Sequence, residues 1–235
     1  MSDAKKILIV ATSAADMGTK DHGSTGSATG LWLEELTTPD YSFVDAGAEV
    51  TLASIAGGAI PIDPRSLDEE AQKAASVQRY HRDAAWQDAV AKTPSVDSVD
   101  ATAFDAVFLP GGHGTMFDLP QSTTLADMVA RTLEDGRIVA AVCHGPAGLV
   151  SAKTKDGAPL VKGRIVAGFT DSEERAVGLD QAVPFLLESR LRALGADYRK
   201  GPDFESFAVQ DGGLITGQNP GSAEEVADLV IKALA

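Results

Sequence analysis

The chain has 235 residues, enough to bury one sizeable core, and a formal charge of −14 from 34 Asp and Glu against 20 Lys and Arg. That surplus of acid repels phosphate backbones and anionic headgroups, so neither nucleic acid nor a membrane surface is expected as a partner. The single cysteine, Cys143, forms no intramolecular disulfide, and no run approaches the roughly 20 apolar residues of a membrane span, which together predict a cytoplasmic protein with a free thiol.

Lys5-Lys6 precede Ile7-Leu8-Ile9-Val10-Ala11, an apolar run too short for a signal peptide and suited to a first buried strand over 6–11. The Gly/Ser/Thr-rich stretch from Gly18 to Gly30 predicts a loop above the strand ends, where open α/β sheets bind ligands. A helical pattern near 28–46 leads to a strand at 48–54. Residues 61–103 are polar with scattered Tyr80, His81 and Trp86, and predict a lid-like excursion carrying one or two short helices. The alternation then resumes with strands at 105–110, 138–142 and 164–169 and helices near 124–135, 144–152 and 180–194. Ile138-Val139-Ala140-Ala141-Val142 is wholly apolar, which marks a strand buried on both faces. Pro184 is expected to open the helix that Gly195 stops. Phe207-Ala208-Val209 and Leu214-Ile215-Thr216 flank Asp211-Gly212-Gly213 as a hairpin, and Ser222 is placed as N-cap of a last helix from Ala223 to Leu234. The pattern predicts one α/β domain over 1–235: a doubly wound, mostly parallel sheet with helices on both faces.

Ala141-Val142-Cys143-His144-Gly145-Pro146 sets a nucleophilic residue directly after that central strand, between small flanks. This is the pattern of a nucleophile elbow, in which a tight turn projects the nucleophile at a helix N-terminus whose amides are expected to activate the thiol. Leu109-Pro110-Gly111-Gly112-His113-Gly114 follows another buried strand, and the Gly112 and His144 amides together make an oxyanion hole. The other histidines are His22, His81 and His113, so none lies beyond the elbow, where a Cys-His-Glu glutamine amidotransferase needs one. Their spacing suits no catalytic metal, although His81 and His113 stay open as incidental ligands.

Taken with Thr29-Gly30-Leu31-Trp32-Leu33-Glu34-Glu35 before Pro39, Asp118, Gly168-Phe169-Thr170 before Glu173-Glu174, and Thr216-Gly217-Gln218-Asn219-Pro220, these motifs resemble the ThiJ/PfpI superfamily over nearly the whole chain. The polar excursion is similar to its larger branch, which includes glyoxalase III enzymes (D-lactate dehydratases), stress chaperones and protein deglycases. The resemblance implies a flavodoxin-like sheet and a likeness to glutamine amidotransferases in architecture alone. It implies Cys143 as nucleophile with His144 beside it, and Glu35, four residues before Pro39, as the carboxylate at the thiol, with Glu34 as the register alternative. Glu174, five residues after Phe169, is the acid expected to orient His144, with Glu173 as alternative. If Glu174 has that role, Glu173 is expected to face solvent. Gly111, His113, Thr29 and Asn219 are implied as substrate contacts.

The activity so implied is conversion of methylglyoxal or another 2-oxoaldehyde to a 2-hydroxy acid through a Cys143 hemithioacetal, without glutathione, metal or organic cofactor, in a homodimer. A holdase chaperone in which Cys143 is a redox sensor, and a cysteine peptidase or amidase, are the rival readings.

Overall fold

The computed structural model describes residues 4–19 and 23–235. The first strand, β1 (Lys6–Ala11), runs into a hairpin of β2 (Asp16–Thr19) and β3 (Gly23–Ala28), then α1 (Leu33–Asp45) and β4 (Glu49–Ser54). After the excursion, whose α-helices are α2 (Ala75–Tyr80) and α3 (Ala84–Ala91), come β5 (Ala106–Leu109), α4 (Thr115–Asp118), α5 (Thr123–Glu134) and β6 (Ile138–Val142). The chain closes with β7 (Ile165–Val166), α6 (Asp171–Ala176), α7 (Leu187–Ala193), β8 (Asp197–Tyr198), the hairpin β9 (Ala208–Asp211) and β10 (Leu214–Gly217), and α8 (Ala223–Leu234).

Six strands form one sheet in the order β4-β1-β5-β6-β10-β9, parallel except for β9. Strand β1 shows why helices must cover both faces. Ile7 and Ile9 pack with Phe108, Ala140 and Ile215 on the side of α1 and α8, whereas Leu8 and Val10 pack with Val107, Val139 and Leu214 on the side of α5. All four β1 side chains are fully buried, so neither face can meet water. The ends of β1, β5, β6 and β10 therefore open at one edge, where ligands of such sheets bind. Among the described residues no helix is long and apolar enough to cross a membrane.

Several expected elements differ, each for a local reason. The Gly18–Gly30 stretch is largely the β2–β3 hairpin instead of a loop; residues 20–22, His22 among them, lie outside the described residues. The helix expected near 28–46 starts later, at Leu33. The strand expected over 164–169 shortens to β7, which pairs with β8 in a separate two-stranded sheet. Asp211 Oδ2 and Thr216 Oγ1 accept from the amides of Ile165 and Ala167, satisfying backbone that a longer ladder would have used. The helix expected near 144–152 is a 3-10 turn over Gly145–Leu149, where Gly145, Pro146 and Gly148 disfavour an α-helix. Pro184 precedes α7 by a loop and does not open it. Ser222 occupies the N-cap of α8, but its hydroxyl accepts from the amides of Phe207 and Asn219 and caps nothing in α8.

The excursion is pinned beside the sheet edge by Asp63, which is fully buried. Its carboxylate accepts from Thr29 Oγ1 at 3.0 Å and from the amide and guanidinium of Arg65. Burial pushes this carboxyl up, but the Arg65 contacts outweigh it and hold it below its usual range. Asp63→Ala removes all of these bonds, so we expect a loss of about 2–4 kcal/mol in urea unfolding. Proteolytic cleavage should become faster within 61–103 and not in the α5 region.

Candidate active site

Cys143 follows β6 with φ at +58°, a left-handed backbone uncommon for any residue but glycine. The strained turn is fixed on both sides, since the Cys143 amide donates to Gly217 O at 3.0 Å and its carbonyl accepts from Phe169 N at 2.8 Å. Only 4% of Cys143 is exposed. Its thiol lies 3.3 Å from His144 Nδ1.

On the far side of that ring, His144 Nε2 is 2.7 Å from Glu174 Oε2, while His113 Nε2 is 2.8 Å from Glu174 Oε1. Burial pushes Glu174 up, but the two imidazoles outweigh it and hold the carboxyl well below its usual range. An ionised carboxylate only accepts, so each ring donates from Nε2, and a neutral His144 then offers the Nδ1 lone pair to the sulfur. Burial, and then repulsion from any positive charge that the adjacent His144 ring would take up, lower His113 to about 4, so this ring is neutral at pH 7. His113 Nδ1 is buried without a partner. The two rings are 4.1 Å apart, and Phe169 lies against His144 at 4.4 Å.

Glu35 comes from the first turn of α1 and is fully buried. Its Oε2 accepts from the Gly111 amide at 2.8 Å. Its Oε1 has no hydrogen bond of good geometry, and the carboxyl interacts with the Cys143 thiol. Burial without a cation raises Glu35 to about 8, so it carries a proton at neutral pH. Glu34, the register alternative, is half-buried and lines a surface cleft with Thr38 and Arg79. The approach of α1 requires glycine twice. A Cβ on Gly111 would stand 2.6 Å from Glu35 Oε2, and one on Gly112, where φ is +98°, would stand 2.4 Å from Gly30 O and Trp32 N.

The expectation that a helix N-terminus activates the thiol is not met. The 3-10 turn after Cys143 is too short for a helix dipole to matter. Burial, followed by the charge of Glu35, pushes the Cys143 thiol up, against a hydrogen bond from the Gly112 amide. Glu35 and Cys143 thus compete to keep protons, and neither ionises easily while the other is charged.

Glu173 departs furthest from expectation, because it is fully buried where a solvent-facing side chain was anticipated. Its Oε2 accepts from the Thr170 amide and hydroxyl, and its Oε1 from Phe204 N, Gln218 Nε2 and Asn219 Nδ2. Thr170 is the N-cap of α6 and Glu173 completes its capping box, which turns the next residue, Glu174, toward the imidazoles.

Two implied substrate contacts are occupied elsewhere. Thr29 is committed to Asp63, and Asn219 divides its amide between Glu173 and Glu205 O. The Gly111 amide is likewise spent on Glu35. His81 is exposed and joins no metal-ligating group among the described residues, whereas His113, His144 and Glu174 place donor atoms within 4.8 Å of one another. Those donors already satisfy each other by hydrogen bonds.

The DJ-1/PfpI family matches residues 27–233. The Glutathione-independent glyoxalase HSP31 of Saccharomyces cerevisiae is 33% identical over 240 residues, covering 98% of each chain. Among solved structures, the Rapid Encystment Protein 24 KDa of Francisella tularensis superposes with a TM-score of 0.92 at 35% identity, over 98% of this chain and 99% of that one. Glyoxalase III from Candida albicans superposes with a TM-score of 0.87 at 28% identity, over 97% of both. From the sheet order, the elbow and a family match over most of its length, the chain belongs to the DJ-1/PfpI family.

Proposed function

We propose that this chain is a glutathione-independent glyoxalase that converts methylglyoxal or a related 2-oxoaldehyde to the 2-hydroxy acid, with Cys143, His144, Glu35 and Glu174 as its catalytic machinery. One observation carries the reading: a buried sulfur, an imidazole lone pair and a carboxyl raised to about 8 converge at one strand end. The named activities of the yeast and Candida relatives support it.

In the proposed sequence, Cys143 Sγ adds to the aldehyde carbon. Glu35 gives its proton to the new oxygen and takes the thiol's, so the hemithioacetal forms without net charge. The Gly112 and His144 amides hold that oxygen as charge develops on it. His144 Nδ1 then takes the hydrogen from the first carbon while Glu35 protonates the second carbonyl oxygen, giving an enediol. Return of the His144 proton to the second carbon, with the first hydroxyl proton going back to Glu35, leaves a thioester of the 2-hydroxy acid. Water releases the acid and restores the thiol. Glu174 holds His144 in the tautomer that makes Nδ1 a base and stabilises the ring when it is charged. These steps use neither metal nor organic cofactor. A cytoplasmic homodimer belongs to the same reading, since a sole free thiol suits a reducing compartment.

The holdase reading gains little support: the large apolar side chains most exposed among the described residues, Val44, Leu67, Val177 and Phe204, belong to four separate segments.

Wild type should form lactate from methylglyoxal without glutathione, and Cys143→Ala should form none with its fold intact; lactate from Cys143→Ala would overturn the reading. Because Glu35 must carry its proton, kcat/KM should fall as pH rises through about 8, and a profile still climbing at pH 9 would show another acid.

Glu35→Gln should lower turnover by about two to four orders of magnitude, yet above pH 8, where the wild-type carboxyl is charged, Cys143 should react faster with iodoacetamide in the variant, since a competing negative charge is gone. Glu35 is raised in the folded state from 4.5 to about 8, so stability is lost as pH rises through that window. Glu35→Gln escapes this loss, and its unfolding midpoint should exceed that of wild type at pH 7 but not at pH 4. Glu174→Gln should lower kcat about a hundredfold or more with little change in KM, measured by steady-state kinetics.

A further inference from the structure

Phe204 is 53% exposed, the most exposed large apolar side chain among the described residues, and its φ is +62°. A bulky residue persists in that left-handed conformation only where its surroundings impose it. They do so here. The Phe204 amide donates to Glu173 Oε1 at 2.8 Å, beside the bonds that the same oxygen accepts from Gln218 and Asn219. Gln218 Oε1 accepts from the Gly201 amide and Gln218 Nε2 donates to Pro202 O, Asn219 Nδ2 donates to Glu205 O, and the Phe207 amide donates to Ser222 Oγ. The 201–207 loop is thus tied down along its length, which fixes the backbone that presents the exposed ring.

The direction in which it is held is informative. The Phe204 ring stands edge-to-face with Phe169 at 6.4 Å, and Phe169 covers His144 at 4.4 Å. An aromatic path therefore runs from the imidazole beside the thiol to the surface. The adjacent pair Glu173-Glu174 serves both ends of it, Glu174 holding the imidazole and Glu173 holding the loop that presents Phe204. Beyond its edge contact with Phe169, the ring on this strained backbone leaves half its surface unburied, and an apolar ligand packed against it would bury that surface.

We propose that Phe204 is a specificity-determining residue, the outer apolar wall that receives the substituent on the second carbon of the 2-oxoaldehyde and favours larger, aromatic substituents over hydrogen. This rests on the glyoxalase reading. The test compares glyoxal, methylglyoxal and phenylglyoxal in wild type, Phe204→Gly and Phe204→Asn. Glycine and asparagine both tolerate a positive φ and keep the amide bonded to Glu173, so the loop is retained without the ring.

In both variants kcat/KM for phenylglyoxal should fall about tenfold or more, while that for glyoxal stays within about twofold of wild type, as expected when a ring contact is lost and the chemistry is kept. Equal changes for all three aldehydes, or an unchanged phenylglyoxal value, would overturn the proposal. If wild type turns over none of the three, the glyoxalase reading fails separately. The ring is then judged by alkylation of Cys143: the rate with N-benzyliodoacetamide relative to iodoacetamide should fall in both variants, and an unchanged ratio would again overturn it.

Discussion

The Glu174 carboxylate lies between two imidazoles, and the rest of the site is arranged around that shared acceptor. A buried anion is costly unless hydrogen-bonded, and here each oxygen is met by one ring nitrogen, at 2.7 and 2.8 Å. The consequence reaches the sulfur through His144, whose Nε2 proton is claimed by Glu174 and whose Nδ1 is thereby left for the thiol. His113 completes the satisfaction of the carboxylate and makes no hydrogen bond to Cys143. It also packs its ring 4.1 Å from His144, so that a second positive charge in the pair is disfavoured.

Glu35 solves the burial problem in the opposite way. It has no cation within reach, only one amide and a thiol, so burial keeps it protonated instead of pairing it. Two carboxyls of the same residue type beside Cys143 and His144 are therefore poised in opposite states: Glu174 as a permanent acceptor and Glu35 as a donor near neutral pH. Interchanging their surroundings would leave His144 Nδ1 without its lone pair toward the thiol and Glu35 without its proton. Gly111 and Gly112 belong to this device, because any side chain there would push α1, and Glu35 with it, away from the sulfur.

Much of this was legible in the residues. Strands β1, β5 and β6 announce themselves as short apolar runs, because sheets covered on both faces leave no room for alternation. The elbow was legible too, since only small residues fit on either side of so tight a turn. What escaped was the allocation of polar side chains. Thr29 and Asn219 sit in the motifs that surround the site, yet their hydrogen bonds go to Asp63 and to Glu173. Spacing along the chain cannot say which partner a short polar side chain finds some 34 or 46 residues away. The buried role of Glu173 had one local signal, Thr170 three residues before it, which is the spacing of a capping box. That spacing fixes Glu173 on the N-terminal side of α6 and so assigns the neighbouring register to Glu174. Phe204 carried no signal, because nothing in Pro202-Asp203-Phe204-Glu205 announces a left-handed backbone.

Among the described residues, Cys143 and Phe204 alone adopt a positive φ without being glycine, and both belong to the same corner of the fold. Each is held by bonds reaching across sequence: Cys143 by Gly217 and Phe169, Phe204 by Glu173. Strain of this kind, on the order of 1–3 kcal/mol at each position, survives only where the surrounding structure over-determines it. The β10–α8 turn supplies that rigidity twice, through the Gly217 carbonyl at the elbow and through Gln218 and Asn219 at Glu173. The last residue of β10 and the two that follow it thus brace Cys143 from one side and the Phe204 loop from the other. Weakening this turn should disturb both together, even though none of its residues touches the thiol by a side-chain hydrogen bond.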